Sequence, residues 1–385
     1  RMSRGLGDGY KRQHMIRAIL LAAGKKVGMI GTTGTVIGYV VTPTLNTTPE
    51  SYELHQAFAQ MVEAGCEYAV MEVSSQGIKM HRTDGLYFNY AIFTNISPDH
   101  IGPGEHADFE EYLYYKTRLL NMCGIGLVNK DDEHAPQIIK AANCELYTYS
   151  EESKEADFVA SDIRYVSQPD FVGTEFHISG KYDMEVRLGI PGLFNVVNAL
   201  AAVSVCSFLG LDQARISHAL ENIRVNGRME IVYTSERCTV LVDYAHNAVS
   251  MESLLSTLRD YKPKRLVCVF GCGGNRSKDR RYSMGEIGGK MADLSIITAD
   301  NSRYEKVEDI IADIRGSIEK TGGKFIEIPD RREAIRYSIL HAQPGDMVAV
   351  IGKGHEDYQE INGVRHHFLD REVIEETVKE LGEKA

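Results

Sequence analysis

The sequence lacks the marks of a membrane-bound or disulfide-stabilised protein. It contains no apolar run long enough to span a bilayer, and no signal peptide is visible. Its seven cysteines are odd in number and scattered, and none belongs to a C-x-x-C pair, which indicates reduced thiols. We therefore expect a cytoplasmic protein without membrane insertion.

Positive charge is also scarce. The 43 Lys and Arg residues are outnumbered by 54 Asp and Glu residues, which gives a formal net charge of -11. This balance argues against general nucleic-acid binding, but a local basic pocket for an anionic ligand remains compatible with it.

Two common nucleotide-binding signatures are missing as well. No predicted strand is followed by G-x-G-x-x-G at a helix start with a later acidic residue, so a generic α/β oxidoreductase is excluded. Gly24-Lys25-Lys26 and Gly352-Lys353-Gly354 contain Gly-Lys, but they lack the earlier Gly and the following Ser or Thr of a phosphate loop. Gly31-Thr32-Thr33-Gly34 has no Lys.

What is present reads as an ordinary α/β protein. The chain of 385 residues is long enough for two domains, and 43% of it is hydrophobic. In the first segment, residues 14–234, apolar strands alternate with helices, which predicts a mostly parallel, covered sheet. Short alternating runs within 156–190 predict a small antiparallel addition. Residues 235–385 repeat the strand–helix alternation and predict a second, doubly wound sheet.

Candidate site residues follow the predicted strands, where open α/β sheets bind ligands. Glu72 ends one strand, and His100 follows the next. A carboxylate at a strand end can hold Mg2+, which prefers oxygen ligands, although a polar strand end and a structural His are the commoner interpretations. Lys116 reads by composition as a solvated helical Lys, and Thr47-Thr48 as helix caps.

Two more candidate sites lie near the end of the first segment, one in an apolar helix and one in a Gly-Arg turn. Four strand-end motifs follow in the second segment. In chain order the six are Asn198 in the helix, Gly227-Arg228, Asp243-Tyr244-Ala245-His246-Asn247, Gly271-Cys272-Gly273-Gly274-Asn275-Arg276, Asp300-Asn301-Ser302-Arg303 and Gly352-Lys353-Gly354-His355-Glu356. The ordered combination is far more specific than any one of its members.

Together these motifs resemble an ATP-dependent Mur ligase of the type that adds the third peptide residue to UDP-N-acetylmuramoyl-dipeptide. The resemblance implies a central ATPase-type domain over 14–234 and a C-terminal Rossmann-like domain over 235–385. It implies an acid–amino-acid ligase of peptidoglycan synthesis, and thus of cell shape and division. ATP would phosphorylate the D-glutamate carboxylate, and the amine of a diamino acid, meso-2,6-diaminopimelate, would attack the acyl phosphate.

The same resemblance implies a role for each motif residue. Glu72, His100 and Lys116 would be catalytic and would hold Mg2+, with Lys116 as a carbamate. ATP would contact Asn198, Arg228, Asp243 and His246. The UDP-muramoyl-dipeptide would contact Thr47, Thr48, Ser74 and Arg82. The incoming amino acid would contact Arg276, Asp300, Asn301, Arg303, Gly352 and Glu356. Guanidinium groups suit the second carboxylate of diaminopimelate, which lysine lacks.

One family element is not found. A family member would carry Gly-Thr-Asn-Gly-Lys-Thr-Thr just before the helix at 15–20, and counting back from Met15 puts Gly9 where the Lys belongs. Residues 1–13 look instead like a non-native leader, and we expect this sequence to lack the uridine-binding domain of the family. Because such a loop positions the ATP phosphates, we expect this polypeptide to be inactive as it stands.

Three alternatives remain open from the sequence. One is another amide ligase of the superfamily, such as a folylpolyglutamate or cyanophycin synthetase. The second is a non-catalytic or regulatory homologue. The third is an L-lysine-adding ligase, because Asn275 and Ser302 stand where the family usually has Asp and Pro. The oligomeric state does not follow from the sequence.

Overall fold

The computed structural model describes residues 8–98 and 100–382. It opens with α1 (Asp8–Ala22), β1 (Val27–Gly31), β2 (Gly34–Ile37), β3 (Val40–Thr42), α2 (Ser51–Glu63) and β4 (Tyr68–Met71). The strands form a four-stranded sheet in the order β3-β2-β1-β4, in which only β1 and β4 run parallel. The antiparallel hairpin of β2 and β3 was not predicted.

A second sheet of six strands completes the first segment. Its elements are α3 (Ser75–Lys79), β5 (Phe88–Phe93), α4 (Phe109–Arg118), a 3-10 turn (Leu119–Asn121), β6 (Cys123–Asn129), α5 (Ala135–Ala141), β7 (Glu145–Ser150), β8 (Phe158–Gln168), β9 (Phe171–Gly180), β10 (Met184–Leu188), α6 (Phe194–Ser207) and α7 (Gln213–Glu221). The order is β10-β9-β8-β7-β6-β5, with β5 to β8 parallel. The pairings of β8, β9 and β10 are antiparallel, which confirms the predicted antiparallel addition.

The third sheet is the predicted doubly wound one. Its elements are β11 (Glu230–Thr234), β12 (Cys238–Asp243), α8 (Ala248–Asp260), β13 (Arg265–Phe270), α9 (Asp279–Met291), β14 (Leu294–Ile297), α10 (Val307–Thr321), β15 (Phe325–Glu327), α11 (Arg331–Leu340), β16 (Asp346–Ile351), β17 (Tyr358–Ile361), β18 (Val364–His367) and α12 (Asp370–Glu380). The six strands of the sheet are in the order β11-β12-β16-β13-β14-β15, parallel except for β11. β17 and β18 are not part of it and form a separate antiparallel pair. β11 lies before the predicted boundary at 234 but pairs with β12, so this sheet begins upstream of that boundary.

Helix α6 is mostly apolar because it is buried in the core on all sides. All residues from Asn195 to Cys206 are buried, and α6 packs against α1 on one side and the six-stranded sheet on the other. The α/β fold class predicted from the sequence is confirmed. Within the described part of the chain, no helix is long and apolar enough to cross a membrane.

Helix α1 overlaps the predicted leader. Residues 1–7 of that leader lie outside the described residues, but 8–13 form the first turns of α1. Gln13 is 3% exposed, and its amide donates to the carbonyls of Ile30 and Val70, at 2.7 and 3.2 Å. Residues 9–12 are half-buried and Gln13 is buried, so this part of the predicted leader is packed into the fold.

Candidate active site

A cavity of about 280 Å³ opens at the carboxyl ends of β4 and β5. Its lining brings together Gly9, Arg12, Glu72, Ser74, Ser75, Thr94, Asn95, His100, Tyr112 and Lys116. The three residues expected to be catalytic, Glu72, His100 and Lys116, are therefore neighbours, although up to 44 positions separate them in the chain. Helix α1 closes one side of the cavity, and α4 closes another.

Glu72 is held by the loop that follows β1. Its Oε2 accepts hydrogen bonds from the Thr32 backbone N–H at 2.7 Å and from the Thr32 hydroxyl at 2.9 Å. Its Oε1 faces α1, where a Cβ built on Gly9 would lie only 2.2 Å away. A glycine at position 9 thus lets the helix start approach this carboxylate closely.

Lys116 is half-buried and points into the cavity, so it is not the solvated helical Lys that composition favours. Its Nζ donates to the Asn95 carbonyl at 2.6 Å and lies 5.2 Å from the centroid of the Tyr112 ring. His100 has a left-handed backbone, with φ 53°, and its Nδ1 lies 3.4 Å from Glu105 Oε1. His100 reaches the cavity from the loop between β5 and α4, and Lys116 reaches it from the last turn of α4.

The donor set in this cavity suits a metal only in part. Among residues 8–98 and 100–382, no group of three His, Cys, Asp or Glu side chains could hold a metal ion. Glu72 and His100 supply two such groups. A cation here would need further oxygens from phosphates, from water or from a modified Lys116, which is the coordination that Mg2+ commonly takes.

The residues expected to contact the UDP-muramoyl-dipeptide surround the same loops. Thr48 is fully buried, and its hydroxyl donates to the Glu72 carbonyl at 3.1 Å and accepts from the Ser74 N–H at 2.9 Å. Thr48 therefore joins two strand-end loops instead of capping α2, whose N-cap is Glu50. Ser74 caps α3 through Gly77.

Two of these residues already have partners in the protein. Thr47 Oγ1 lies 3.3 Å from Thr32 Oγ1, which places it beside Glu72. Arg82 pairs with Glu50, at 2.7 Å, and its Nη1 donates to the Thr48 carbonyl at 3.3 Å. An anionic ligand would have to compete with Glu50 for the Arg82 guanidinium.

The sequence analysis missed a buried Ser–His pair in this site. His106 is fully buried, and its Nε2 lies 2.9 Å from Ser75 Oγ. Its Nδ1 lies 3.7 Å from Glu111 Oε2. Burial lowers the pKa of His106, and the Lys79 charge acts in the same direction while Glu111 opposes it. In the sequence, the pair was indicated only by a second His, six positions after His100.

The four residues expected to bind ATP lie in α6, in the turn before β11 and at or just after the end of β12. Asn198 is buried in α6, and its Oδ1 accepts a 2.6 Å hydrogen bond from Arg12 Nη1. Asp243 ends β12, and its Oδ2 accepts from the Met229 N–H at 2.8 Å. Burial raises the pKa of Asp243, although Met229 and Arg228 oppose the shift.

Tyr244 connects this region to the next. The Arg228 guanidinium lies 4.9 Å from the Tyr244 ring centroid, and His246 Nδ1 lies 2.9 Å from the Tyr244 carbonyl oxygen. The Tyr244 hydroxyl donates to Glu356 Oε1 at 3.4 Å. A continuous polar path therefore joins Arg228 to the loop that follows β16.

The residues expected to bind the amino acid form one cluster at the carboxyl edge of the third sheet. Asn301 Nδ2 donates to Glu356 Oε2 at 3.0 Å, and Asp300 Oδ1 accepts from the Asn301 N–H. Arg303 Nη1 donates to the Gly274 carbonyl at 2.8 Å. Gly352 has φ 114°, a backbone conformation that favours glycine, and a Cβ there would meet Asp300 Oδ2 at 2.7 Å.

Two arginine side chains pass beside this cluster. A Cβ built on Gly273 would lie 2.9 Å from Arg303 Nη1 and 3.8 Å from Arg276 Cγ, so both side chains pass the same turn. Arg276 is exposed, and Arg303 is half-buried. The structure therefore places all six of these predicted residues in three adjacent loops.

Lys353 is a second residue that the sequence analysis missed, because it was dismissed there with its Gly-Lys pair. Its side chain is fully buried, and Nζ donates to Asn301 Oδ1 and Glu356 Oε2, at 3.3 Å each. A buried ammonium needs such compensation. Lys353 thus orients two of the residues that are expected to contact the amino acid.

Comparisons with known proteins agree with this arrangement. Residues 13–206 match the Mur ligase middle domain, and residues 227–354 match the Mur ligase glutamate ligase domain. The UDP-N-acetylmuramoyl-L-alanyl-D-glutamate--2,6-diaminopimelate ligase of Caldanaerobacter subterraneus subsp. tengcongensis is 39% identical over 373 residues, a match that covers 95% of this chain and 75% of that relative.

Solved structures extend the likeness. A UDP-N-acetylmuramoyl-L-alanyl-D-glutamate--2,6-diaminopimelate ligase superposes with a TM-score of 0.77 at 32% identity, covering 97% of this chain and 77% of the other. The folylpolyglutamate synthase of Thermotoga maritima superposes with a TM-score of 0.64 over 91% and 84% of the two chains, but at 18% identity it shares only the fold.

The chain belongs to the Mur ligase family, whose members are ATP-dependent ligases of peptidoglycan synthesis. The resemblance inferred from the motifs is thereby confirmed. Within that family, the Caldanaerobacter relative and the structure at 32% identity are both 2,6-diaminopimelate ligases.

Proposed function

We propose that this chain carries the catalytic and amino-acid-binding parts of a ligase that joins meso-2,6-diaminopimelate to UDP-N-acetylmuramoyl-L-alanyl-D-glutamate at the expense of ATP. The observation that carries the proposal is the cluster at the edge of the third sheet. The Arg303 guanidinium and the Arg276 stem pass the turn at Gly273, beside the loop that carries Asn301, and Asn301 donates to Glu356. Diaminopimelate presents two carboxylates and two ammonium groups, which suit such a mixed set.

The charges of the cluster define how the ligand would be held. Arg276 and Arg303 are the groups proposed for the distal carboxylate, because their guanidinium forks fit a carboxylate plane. Glu356 is proposed for an ammonium. Since Glu356 already accepts from Asn301 and Lys353, the ligand ammonium would join an existing network that has been oriented in advance.

The cavity beside Glu72 is proposed for the reacting carboxylate and the ATP phosphates. Asn198, Arg228, Asp243 and His246 are proposed for the nucleotide. Mg2+ would supply charge neutralisation there when bound, with Glu72, His100 and Lys116 as its proposed ligands. Carbamylation of Lys116 would require its neutral amine, whose nitrogen lies 2.6 Å from the Asn95 carbonyl oxygen.

The dipeptide substrate would reach this cavity past Thr47, Ser74 and Arg82. Arg82 is the proposed cation for a substrate anion, which would compete with Glu50, the present ion-pair partner of Arg82 at 2.7 Å. Thr48 supports the site indirectly, because its hydroxyl fixes the backbone on both sides of Val73. Thr48→Val should therefore impair the placement of Glu72 and Ser74 without removing a ligand contact.

The test uses two polypeptides. One has the printed sequence, and the other carries the phosphate loop and uridine-binding domain of the Caldanaerobacter relative in place of residues 1–13. We expect ADP release that depends on meso-diaminopimelate from the second only, because residues 8–14 contain no Gly-Lys-Thr. Turnover that prefers L-lysine would refute the amino-acid assignment. Robust turnover by the printed polypeptide would refute the need for the loop.

A further inference from the structure

A fully buried ion pair lies beside the amino-acid cluster, outside every motif considered above. Arg331 and Asp370 are 0% exposed at their side chains, and they meet through two parallel contacts, Nε to Oδ1 and Nη2 to Oδ2, each 2.7 Å long. Arg331 is the first residue of α11, and Asp370 is the first residue of α12. The pair therefore joins two helices where both begin.

The remaining hydrogen bonds of Arg331 reach the bases of two site loops. Nη1 donates to the Ala299 carbonyl at 3.2 Å, and Nη2 donates to the Ile351 carbonyl at 3.0 Å. Ala299 directly precedes Asp300, and Ile351 directly precedes Gly352. One side chain thus fixes the last carbonyl before each of the two loops that carry Asn301 and Glu356.

Stability alone gives little reason for this pair. A cation is poorly placed at a helix start, where the helix dipole favours negative charge. Well-packed apolar residues often replace a buried ion pair without loss of stability. Burial acts to lower the pKa of Arg331, but the negative charge and hydrogen bonds of Asp370 raise it more strongly. The charges of Asp300 and Glu356 also raise it, so the pKa of Arg331 lies above its ordinary value. The guanidinium therefore also interacts with carboxylates of the cluster.

We propose that the Arg331–Asp370 pair is a positioning device for the amino-acid site. It holds the loop 300–303 and the loop 352–356 at the separation that lets Asn301 and Glu356 share a ligand. The identity of that ligand rests on the proposed function, whereas the positioning of the loops does not. Arg331 and Asp370 themselves are too deeply buried to contact a ligand.

The opposite end of the same sheet offers a matched control. Arg265 begins β13 and Asp346 begins β16, and Nε and Nη2 of Arg265 both donate to Asp346 Oδ2. The Asp346 side chain is 1% exposed, so removing its charge also leaves a half-buried Arg without its partner. This pair lies at the strand starts, away from the site loops. Asp346→Asn therefore matches Asp370→Asn in chemistry but not in position.

The experiment measures amide hydrogen exchange in the full chain and the calorimetric Kd for meso-diaminopimelate. The variants are Arg331→Lys, Asp370→Asn, Asp346→Asn and the doubly apolar Arg331→Met/Asp370→Leu. The double variant leaves no unpaired charge and guards against single variants that fail to fold. We expect the amides of Arg303 and Glu356, bonded to the Glu360 and Lys353 carbonyls, to exchange at least tenfold faster in the Arg331 and Asp370 variants.

The control should behave differently. Asp346→Asn should leave exchange in both site loops unchanged and should leave the Kd within about twofold, while Asp370→Asn should raise the Kd at least tenfold. Loop exchange that is unchanged in the double variant, or equally accelerated in Asp346→Asn, would overturn the proposal. Absence of diaminopimelate binding to the parent chain would refute the amino-acid assignment, and loop exchange would still decide the positioning role.

Discussion

Replacing Arg303 by Ala is the sharpest single test of the amino-acid site. Arg303 Nη1 donates to the Gly274 carbonyl at 2.8 Å, and Nε lies 3.7 Å from Glu360 Oε2. Its side chain is 24% exposed, so the guanidinium can meet a ligand. The substitution removes a proposed carboxylate contact and also loosens the turn at Gly274, and the two effects must be separated.

The magnitude follows from the contacts. A hydrogen bond to a charged group contributes about 1.5–3 kcal/mol, which corresponds to roughly a 10- to 150-fold change in Kd. The half-exposed ion pair with Glu360 contributes at most about 1 kcal/mol. Loosening of the turn should weaken every amino-acid ligand alike. L-lysine has no second carboxylate, so its binding should suffer from that effect only.

Calorimetry with meso-diaminopimelate and L-lysine separates the two contributions. We expect Arg303→Ala to weaken diaminopimelate binding by at least tenfold more than lysine binding, and Arg303→Lys to recover only part of the difference because it lacks the planar fork. Arg315→Ala is the control, since Arg315 lies on α10 and pairs with Glu327 at 3.1 Å. An equal loss for both ligands, or none for diaminopimelate, would show that Arg303 does not contact the distal carboxylate.

Two further predictions concern the cavity beside Glu72. In the polypeptide that carries a phosphate loop, Lys116→Ala should abolish ADP release. Added short carboxylic acids should partly restore the release, because they supply the missing anionic oxygens. Full activity of Lys116→Ala without bicarbonate would exclude a carbamate. Burial holds the pKa of His106 below its ordinary value, so the folded protein binds a proton there less readily than the unfolded chain. The free energy of unfolding should therefore fall as the pH drops below about 6.5, and His106→Gln should flatten that fall between pH 7.5 and 5 in urea titrations. An identical pH dependence in the variant would exclude His106 as the cause.

The positions of the site loops could be predicted from the sequence because they follow apolar runs. Parallel strands that are buried on both faces read as continuous apolar segments, and their ends mark the edge where ligands bind. Asp243 and Gly352 stand at the ends of fully buried strands, whereas Glu72 follows β4, which is apolar in sequence but only partly buried. The β2–β3 hairpin was missed, because Val40, Val41 and Thr42 are exposed and have no polar alternation that would reveal an edge strand.

The chemistry inside the loops was less accessible from the sequence. Thr48 reads as a helix cap by its place before α2, yet its hydroxyl bonds to Ser74, 26 positions away. Lys353 reads as a surface Lys in a Gly-rich turn, yet it is fully buried against Asn301, 52 positions away. Nothing local distinguishes a Lys that solvent surrounds from one that a neighbouring loop encloses.

The sequence by itself determined the α/β class, because the class depends on the periodicity of apolar residues. It also determined which strand ends carry polar motifs and that the chain belongs to the Mur ligase family, because these motifs are contiguous in the chain. Only the tertiary structure decided which side chains share a site. Arg331 and Asp370 lie 39 positions apart, and Ser75 and His106 lie 31 apart. Their pairing depends on how helices pack across sheets, and this long-range packing cannot be predicted from the residues next to each of them in the sequence.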